Sequence, residues 1–357
     1  MYYRFVAAAI LLIVAMGCVQ QPVQTVSTVS PEESLEIIRK GAELHDQHKY
    51  AEAIAVYKNL LIRDPNNADA LYEMAYSYFA SHQLEKALET VDKSLKASKD
   101  LLMPYVLKGN CLDDMGKPKQ AIKIYRKGLK VHPDSYLLYY NMGYTLVRMK
   151  QLDKAEDAFE HASVLNPDHP TSQLFLSRIW AGKGMRVQAI FAYMRFLVLE
   201  PTSSRARLAV TDLGKLLSSG VTKTEDGANI NVNLNDLLGR KDAYTNLNMM
   251  LSLSGALVLS KDKIAGKTDL ERTCYQLSGL FRSMAERHTH AADFAWKYYS
   301  EYYQQLADRN LIMPMCMIAL QSMAPDEARE WENNHKDQME AFMQWNRSYK
   351  FPQIDTF

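Results

Sequence analysis

The chain has 357 residues, of which 47% are hydrophobic and 23% charged, a balance that predicts a packed protein rather than a disordered one. Its 42 basic and 41 acidic side chains leave a formal net charge of +1. Because nucleic-acid binding needs a basic surface, we expect no nucleic acid as the main partner.

The start of the chain has the pattern of a secretory signal. One basic residue, Arg4, precedes an apolar run over 5–16 that ends at Gly17-Cys18. The run is too short to span a bilayer, which needs about 20 residues. The ending resembles the lipoprotein box of bacteria, which implies a signal peptide over 1–17 and a lipid on Cys18. An ordinary secretory signal with a coincidental cysteine is the alternative.

The residues after Cys18 predict its destination and a tether. Val19 is not an aspartate, which in the bacterial sorting scheme would favour the inner membrane, and no acidic cluster for surface display follows. We therefore expect a lipid anchor in the outer membrane, facing the periplasm. Residues 18–33 are rich in Gln, Val, Thr, Ser and Pro, which is typical of a flexible tether. Ser30-Pro31 is typical of a helix start.

Residues 34–201 repeat with a period of 34. Prolines mark one register, with Lys99 in place of the second: they are Pro65, Pro133, Pro167 and Pro201. Small residues recur in two columns. The first column is Gly41, Ala75, Gly109, Gly143 and Ser177. The second is Ala53, Ala87, Ala121, Ala155 and Ala189. Large apolar residues recur in two more, which are Leu44, Tyr78, Leu112, Leu146 and Trp180, and Tyr57, Val91, Tyr125, Phe159 and Tyr193. This pattern predicts pairs of antiparallel helices that approach closely at the small residues.

The period and its columns resemble the tetratricopeptide repeat (TPR) family. Five units over 34–201 are implied, and with them an all-α fold: a superhelix of helical hairpins, then a capping helix and a C-terminal helical domain. Gln173 departs from the pattern at a site where the family has an apolar residue.

The resemblance also implies a binding groove, because the first helix of each unit lines a concave wall. The family's groove positions 2, 5, 9 and 12 fall here on Tyr72, Tyr76, Phe79, Met103, Val106, Asn110, Asp113, Leu137, Tyr140, Tyr144, Val147 and Arg178. Tyrosines there suit the binding of a peptide or an amphipathic helix, the alternative being that some pack against neighbouring elements. The family's clamp for a peptide carboxylate is not expected, because Ile38 and Val106 replace its lysines, although Asn110 and Asn141 match in part.

Beyond residue 201 the register fails. We predict a capping helix over 202–220, a loop or short hairpin with an Asp226-Gly227 turn over 221–240, a separate helical domain over 241–349, and a tail over 350–357. In the helical domain, Thr268 to Glu271 forms a capping box, and Pro325 opens the last helix. Its aromatic segment is expected to form core rather than a ligand cage: Phe294, Trp296, Tyr298, Tyr299, Tyr302 and Tyr303.

No catalytic motif occurs in the sequence, and we predict neither an enzyme nor a cofactor. Gly266-Lys267-Thr268 resembles the end of a phosphate-binding loop, but Lys261 replaces its first glycine. The pairs His45/His48 and His288/His290 lack a third metal ligand at suitable spacing, so no metal site is expected. Cys111, Cys274 and Cys316 do not form a paired framework, although one disulfide among them is possible; Cys111 is expected as a buried thiol.

The sequence thus favours a membrane-anchored scaffold whose groove binds a partner peptide or helix, serving envelope assembly, the cell wall or secretion. The alternative is an envelope lipoprotein whose C-terminal aromatic domain binds a glycan or another small molecule. An enzyme with an unrecognised C-terminal site is the third hypothesis. The oligomeric state and the partner's identity are not encoded in any motif.

Overall fold

The computed structural model describes residues 29–224, 227–230, 243–259, 266–285 and 293–354. The predicted signal peptide, Cys18 and most of the tether lie outside the described residues. So do Lys261, Asp226, the His288/His290 pair and the last three residues of the tail.

The repeat region consists of ten helices in five antiparallel pairs. They are α1 Pro31–Asp46, α2 Tyr50–Arg63, α3 Ala68–Ala80, α4 Leu84–Ala97, α5 Leu102–Asp114, α6 Pro118–Leu129, α7 Tyr136–Arg148, α8 Leu152–Leu165, α9 Pro170–Gly182 and α10 Arg186–Leu199. The predicted five hairpins are confirmed.

Short polar side chains begin several of these helices. Ser30 accepts a hydrogen bond from the Glu33 amide at 3.1 Å, and Asn67 accepts one from the Ala70 amide at 2.9 Å. Each bond satisfies one amide that the first helical turn leaves without a partner.

The turn inside each hairpin contains one residue in the left-handed conformation, and these residues also recur with a period of 34. They are His48, His82, Gly116, Lys150 and Gly184, with φ between 58° and 74°. Glycine adopts this conformation without a steric penalty, whereas the other three must be held there by the helices on either side. The sequence pattern did not reveal this column, because only two of its members are glycine.

The predicted columns form the core of the hairpins. The five alanines at the helix crossing are fully buried, and so are the five large residues from Tyr57 to Tyr193, at 2% exposure or less. In units one, three and four the large residue is a ring that lies against the glycine of the first helix: Tyr57 on Gly41, Tyr125 on Gly109 and Phe159 on Gly143.

The chain continues with a capping helix, a β-hairpin and six further described helices. They are α11 Ser204–Ser218, β1 Val221–Thr224, β2 Gly227–Ile230, α12 Ala243–Leu259, α13 Asp269–Ala285, α14 Phe294–Asp308, α15 Ile312–Ala319, α16 Pro325–Asn334 and α17 Lys336–Ser348. The strands are antiparallel, with Val221 opposite Ile230 and Thr224 opposite Gly227. The predicted capping helix is thus present, and the described part of 221–240, where a loop or short hairpin is predicted, forms two paired strands.

Two details of the C-terminal helices follow from local backbone geometry. The Thr268 capping box is confirmed, since Thr268 Oγ1 accepts from the Glu271 amide and Glu271 Oε2 accepts from the Thr268 amide, both at 3.1 Å. The single helix predicted from Pro325 is wrong, because the backbone leaves the helical region at His335 (φ −133°, ψ 41°) and divides it into α16 and α17.

The C-terminal aromatics form core, as predicted. Tyr298, Tyr299, Tyr302 and Tyr303 are fully buried, and their hydroxyls bond inside the protein. Tyr298 donates to the Ser163 carbonyl at 2.7 Å and Tyr303 to the Phe191 carbonyl at 2.6 Å. These bonds join α14 to units four and five, so the C-terminal helices share one apolar core with the repeats.

The cysteines and the helix lengths complete the description. Cys111, Cys274 and Cys316 are buried free thiols, and the prediction for Cys111 is confirmed. Across the described segments, every helix is too short or too polar to cross a membrane.

Candidate binding groove

The first helices of the hairpins expose large apolar side chains along one face. These side chains are Leu35, Tyr76, Met103, Tyr144 and Leu208, each at least 40% exposed. They occupy repeat positions 2, 5 or 9, which lie three or four residues apart and therefore on the same side of a helix. Leu208 extends the series to α11, which follows the same register as a sixth first helix. These exposed apolar side chains form a row along the concave wall of the superhelix, interrupted at unit five, where the exposed groove residue is Arg178.

At the N-terminal end of the groove, three rings form a ladder. The His45 imidazole stacks on the Tyr76 ring with centroids 4.5 Å apart and planes at 16°. The Tyr76 ring is parallel to the Tyr72 ring at 6.2 Å, with planes at 5°. Nδ1 of His45 lies 2.9 Å from Oγ of Ser77, which ties α1 to α3. Burial lowers the pKa of His45, so the imidazole is neutral at pH 7.

Carboxyl groups surround this ladder. Burial raises the pKa of Glu73, and the nearby Asp69 and Asp46 carboxylates raise it further. No Lys, Arg or His forms an ion pair with these three residues in the described part of the chain. The ladder end of the groove is therefore acidic, and its negative charge is not neutralised internally.

The middle of the groove offers less surface than the sequence predicts. Val106 and Asp113 are buried, and Asp113 accepts from Nη1 of Arg148 at 2.8 Å. Oδ1 of Asn110 accepts from the Tyr125 hydroxyl at 2.7 Å. Asp113 thus joins unit three to unit four, and Asn110 joins the two helices of unit three, so both side chains have structural roles. Met103 is the large apolar residue of unit three that stays exposed in the groove.

At the C-terminal end, the rings are partly packed and partly open. Tyr140 is half-buried against the His169 ring, with centroids 4.6 Å apart. Tyr144 is 43% exposed, and its ring is packed edge-to-face with the Phe175 ring, with centroids 5.9 Å apart. Arg178 is exposed beyond them. Each of the two alternatives for the groove rings therefore holds for some of them. Tyr76 and Tyr144 are open to a partner, whereas Tyr72, Phe79 and Tyr140 are largely packed against neighbouring residues.

A second depression lies between α16 and α17. Its lining includes the apolar Met339 and Met343 and the charged Glu332, Lys336 and Arg347. Among the described residues that line it, none is an aromatic ring of the kind that a glycan stacks on. Among the described residues, no three His, Cys, Asp or Glu side chains converge to hold a metal ion.

Comparison with known proteins agrees with this geometry. The tetratricopeptide repeat family model matches residues 44–101 and 114–179. BBSome complex member BBS4 of Bos taurus is 30% identical over 102 residues, which are 29% of this chain and 19% of that protein. The Hsp70-Hsp90 organising protein of Plasmodium falciparum is 29% identical over 108 residues, which are 30% of this chain and 42% of that protein.

Solved structures are similar to the chain at lower identity. A crystal structure of MamA is 22% identical, covers 45% of this chain and 94% of its own, and has a TM-score of 0.41. The chain spans less than half the length of the curated relatives named above. The fold is therefore helical, with one short β-hairpin: a superhelix of helical hairpins is followed by a capping helix and C-terminal helices, and the tetratricopeptide repeat match covers residues 44–101 and 114–179.

Proposed function

We propose that this protein is a non-enzymatic scaffold that holds a peptide or helix of a partner protein in its concave groove. The observation that carries the proposal is the row of exposed apolar side chains on the first helices, from Leu35 to Leu208. An extended apolar surface on a folded protein is typical of an interaction site. The name of the Hsp70-Hsp90 organising protein, a relative over the repeats, refers to two proteins, in agreement with protein binding.

The scaffold is proposed to act at a membrane of the bacterial envelope. The support is the leader that ends at Gly17-Cys18, whose pattern resembles a lipoprotein box. Two or more acyl chains hold a protein firmly, since each buried CH₂ contributes about 0.8 kcal/mol. The outer membrane facing the periplasm remains the proposed site. Cys18→Ser should release the protein from the membrane fraction, and retention of that variant in the fraction would contradict the anchor.

The groove is tested by crosslinking in envelopes, followed by pull-down of the full chain and mass spectrometry. Partners should be lost from the Tyr76→Ala/Tyr144→Ala variant, because it removes the two most exposed groove rings. The matched control is Tyr275→Ala, which removes a tyrosine 60% exposed on α13, outside the groove. An unchanged partner set in a Tyr76→Ala/Tyr144→Ala protein that keeps its helical circular dichroism would overturn the proposal.

The glycan-binding alternative has no observation in its favour. The rings that would form a cage around a ligand, Tyr298, Tyr299, Tyr302 and Tyr303, are fully buried with their hydroxyls bonded internally. The groove is therefore the binding surface that the described residues support.

A further inference from the structure

We propose that the N-terminal end of the groove receives a cationic side chain, lysine or arginine, from the bound partner segment. The site consists of the ring ladder His45, Tyr76 and Tyr72 together with the carboxylates of Asp46, Asp69 and Glu73. The inference rests on the proposed function, and it adds the chemical class of the residue that the groove selects.

The ladder provides the faces on which a cation binds. The central ring, Tyr76, is 40% exposed, although the rings of His45 and Tyr72 lie parallel to it with centroids 4.5 and 6.2 Å away. Stacking fixes the ring and leaves part of its surface to solvent. Tyrosine faces attract ammonium and guanidinium groups through the ring quadrupole. The uncharged His45 imidazole adds an aromatic surface without repelling a cation.

The carboxylates decide the sign of the ligand's charge. Glu73 is half-buried beside Asp69 and Asp46, and within the described residues no basic side chain neutralises the three groups. An incoming cation would relieve the repulsion among them, whereas an incoming carboxylate would add to it. Apolar rings with an unneutralised acidic border are thus complementary to lysine or arginine.

The far end of the groove presents a basic side chain, Arg178. Arg178 is exposed on α9 and, within the described chain, forms no ion pair. The groove is therefore acidic near unit two and presents an exposed arginine at unit five. A partner segment with a cation at one end will bind in one orientation, with that cation at the ladder.

The proposal is tested by selection from a random dodecapeptide display library on the immobilised full chain, with counter-selection on the Tyr76→Ala/Tyr144→Ala variant. Lysine or arginine should be enriched in the selected peptides relative to the starting library. For a selected peptide, replacing that residue by norleucine should weaken binding by about five- to thirty-fold, the range expected for a cation on an aromatic face beside a carboxylate.

The variant Glu73→Gln separates the charge effect from misfolding. It keeps the side-chain shape and removes a carboxylate that is disfavoured in the folded state, so the protein should fold at least as well. It should weaken binding of the lysine peptide and leave binding of the norleucine peptide unchanged. Arg178→Gln, at the other end of the groove, should leave the lysine-to-norleucine ratio unchanged.

The outcomes distinguish the two proposals. Selected peptides that lack a cation, or an equal effect of Glu73→Gln on both peptides, would overturn the cation site while the groove stands. If no peptide survives counter-selection, the groove itself does not bind peptides, and both proposals fail.

Discussion

The ring of Tyr125 lies directly against Gly109, so that a β-carbon at position 109 would sit 2.5 Å from Cζ of the ring. The same contact occurs between Tyr57 and Gly41, and between Phe159 and Gly143. In unit two the equivalent pair is Ala75 and Val91, where both side chains are of moderate size. The two columns therefore compensate each other in volume at the crossing of each hairpin.

Gly109→Ala should lower the free energy of unfolding by about 1–3 kcal/mol, because the added methyl group must displace a buried ring. The control is Gly214→Ala in α11, where a β-carbon meets no atom within 4 Å. That substitution should raise the free energy of unfolding by about 0.5–1 kcal/mol through helix propensity. Urea unfolding followed by circular dichroism measures both.

Tyr125→Val should couple to Gly109→Ala, since together they recreate the alanine–valine pair of unit two. We expect the double variant to lose less free energy of unfolding than the two single variants lose together, by at least about 0.5 kcal/mol. Strict additivity in the same urea experiment would show that the two columns do not share one space.

Arg195→Lys should destabilise the protein by about 3 kcal/mol although the charge is kept. The Arg195 guanidinium is buried, donates to Asp168 Oδ1 at 2.7 Å and to Asn346 Oδ1 at 3.2 Å, and lies 4.7 Å from the Phe351 ring centroid. A lysine cannot bridge both acceptors and stack at once. Arg329→Lys, on an exposed side chain, is the control and should change the thermal midpoint little. Equal midpoints for the two variants would contradict the assigned role.

Glu160→Gln should stabilise the protein more at pH 8 than at pH 5. Burial, with Glu156, Asp157 and Asp293 nearby, raises the pKa of Glu160 to about 8, against the opposing effect of Lys183. Between the ordinary glutamate pKa and about 8, the folded state keeps a proton that the unfolded state has lost. The free energy of unfolding therefore falls as pH rises through this window, by up to about 1.4 kcal/mol per pH unit from this group.

The glutamine cannot ionise, so it removes that part of the pH dependence. Urea midpoints at pH 5 and pH 8 measure it, and the exposed Glu330→Gln serves as the control. If Glu160→Gln changes the free energy of unfolding equally at both pH values, Glu160 has an ordinary pKa.

Cys274 and Cys316 should be the pair that oxidises. Their thiols contact each other in the core between α13 and α15, and burial raises the pKa of Cys316 well above its usual range. The folded protein should therefore resist alkylation by iodoacetamide at all three buried thiols.

Refolding in oxidised glutathione should then join Cys274 to Cys316, as the two thiols lose two protons and two electrons and glutathione disulfide is reduced. A non-reducing peptide map identifies the pair. A bridge that includes Cys111, which lies in unit three, would contradict the assignment.

Contacts between neighbours along the chain could be predicted from the sequence by itself. The 34-residue columns predict which residues meet at each helix crossing, and Ala53, Ala121 and Ala189 are buried as expected. The two helices of a repeat contact mainly each other and the next repeat, so a sequence pattern with a period of 34 residues predicts their packing. The cap at Thr268 was equally local, since its two hydrogen bonds span three residues.

Only the tertiary structure revealed the contacts between distant segments, because the repeat pattern carries no information on residues outside the repeats. Gln173 breaks the repeat pattern because its side-chain oxygen accepts from the hydroxyl of Tyr299, 126 residues later, with both side chains fully buried. In the groove, likewise, Val106 and Asp113 are buried while Tyr76 stays open. Solvent exposure depends on how adjacent helices cross, whereas the repeat position of a residue specifies only the side of the helix on which it lies.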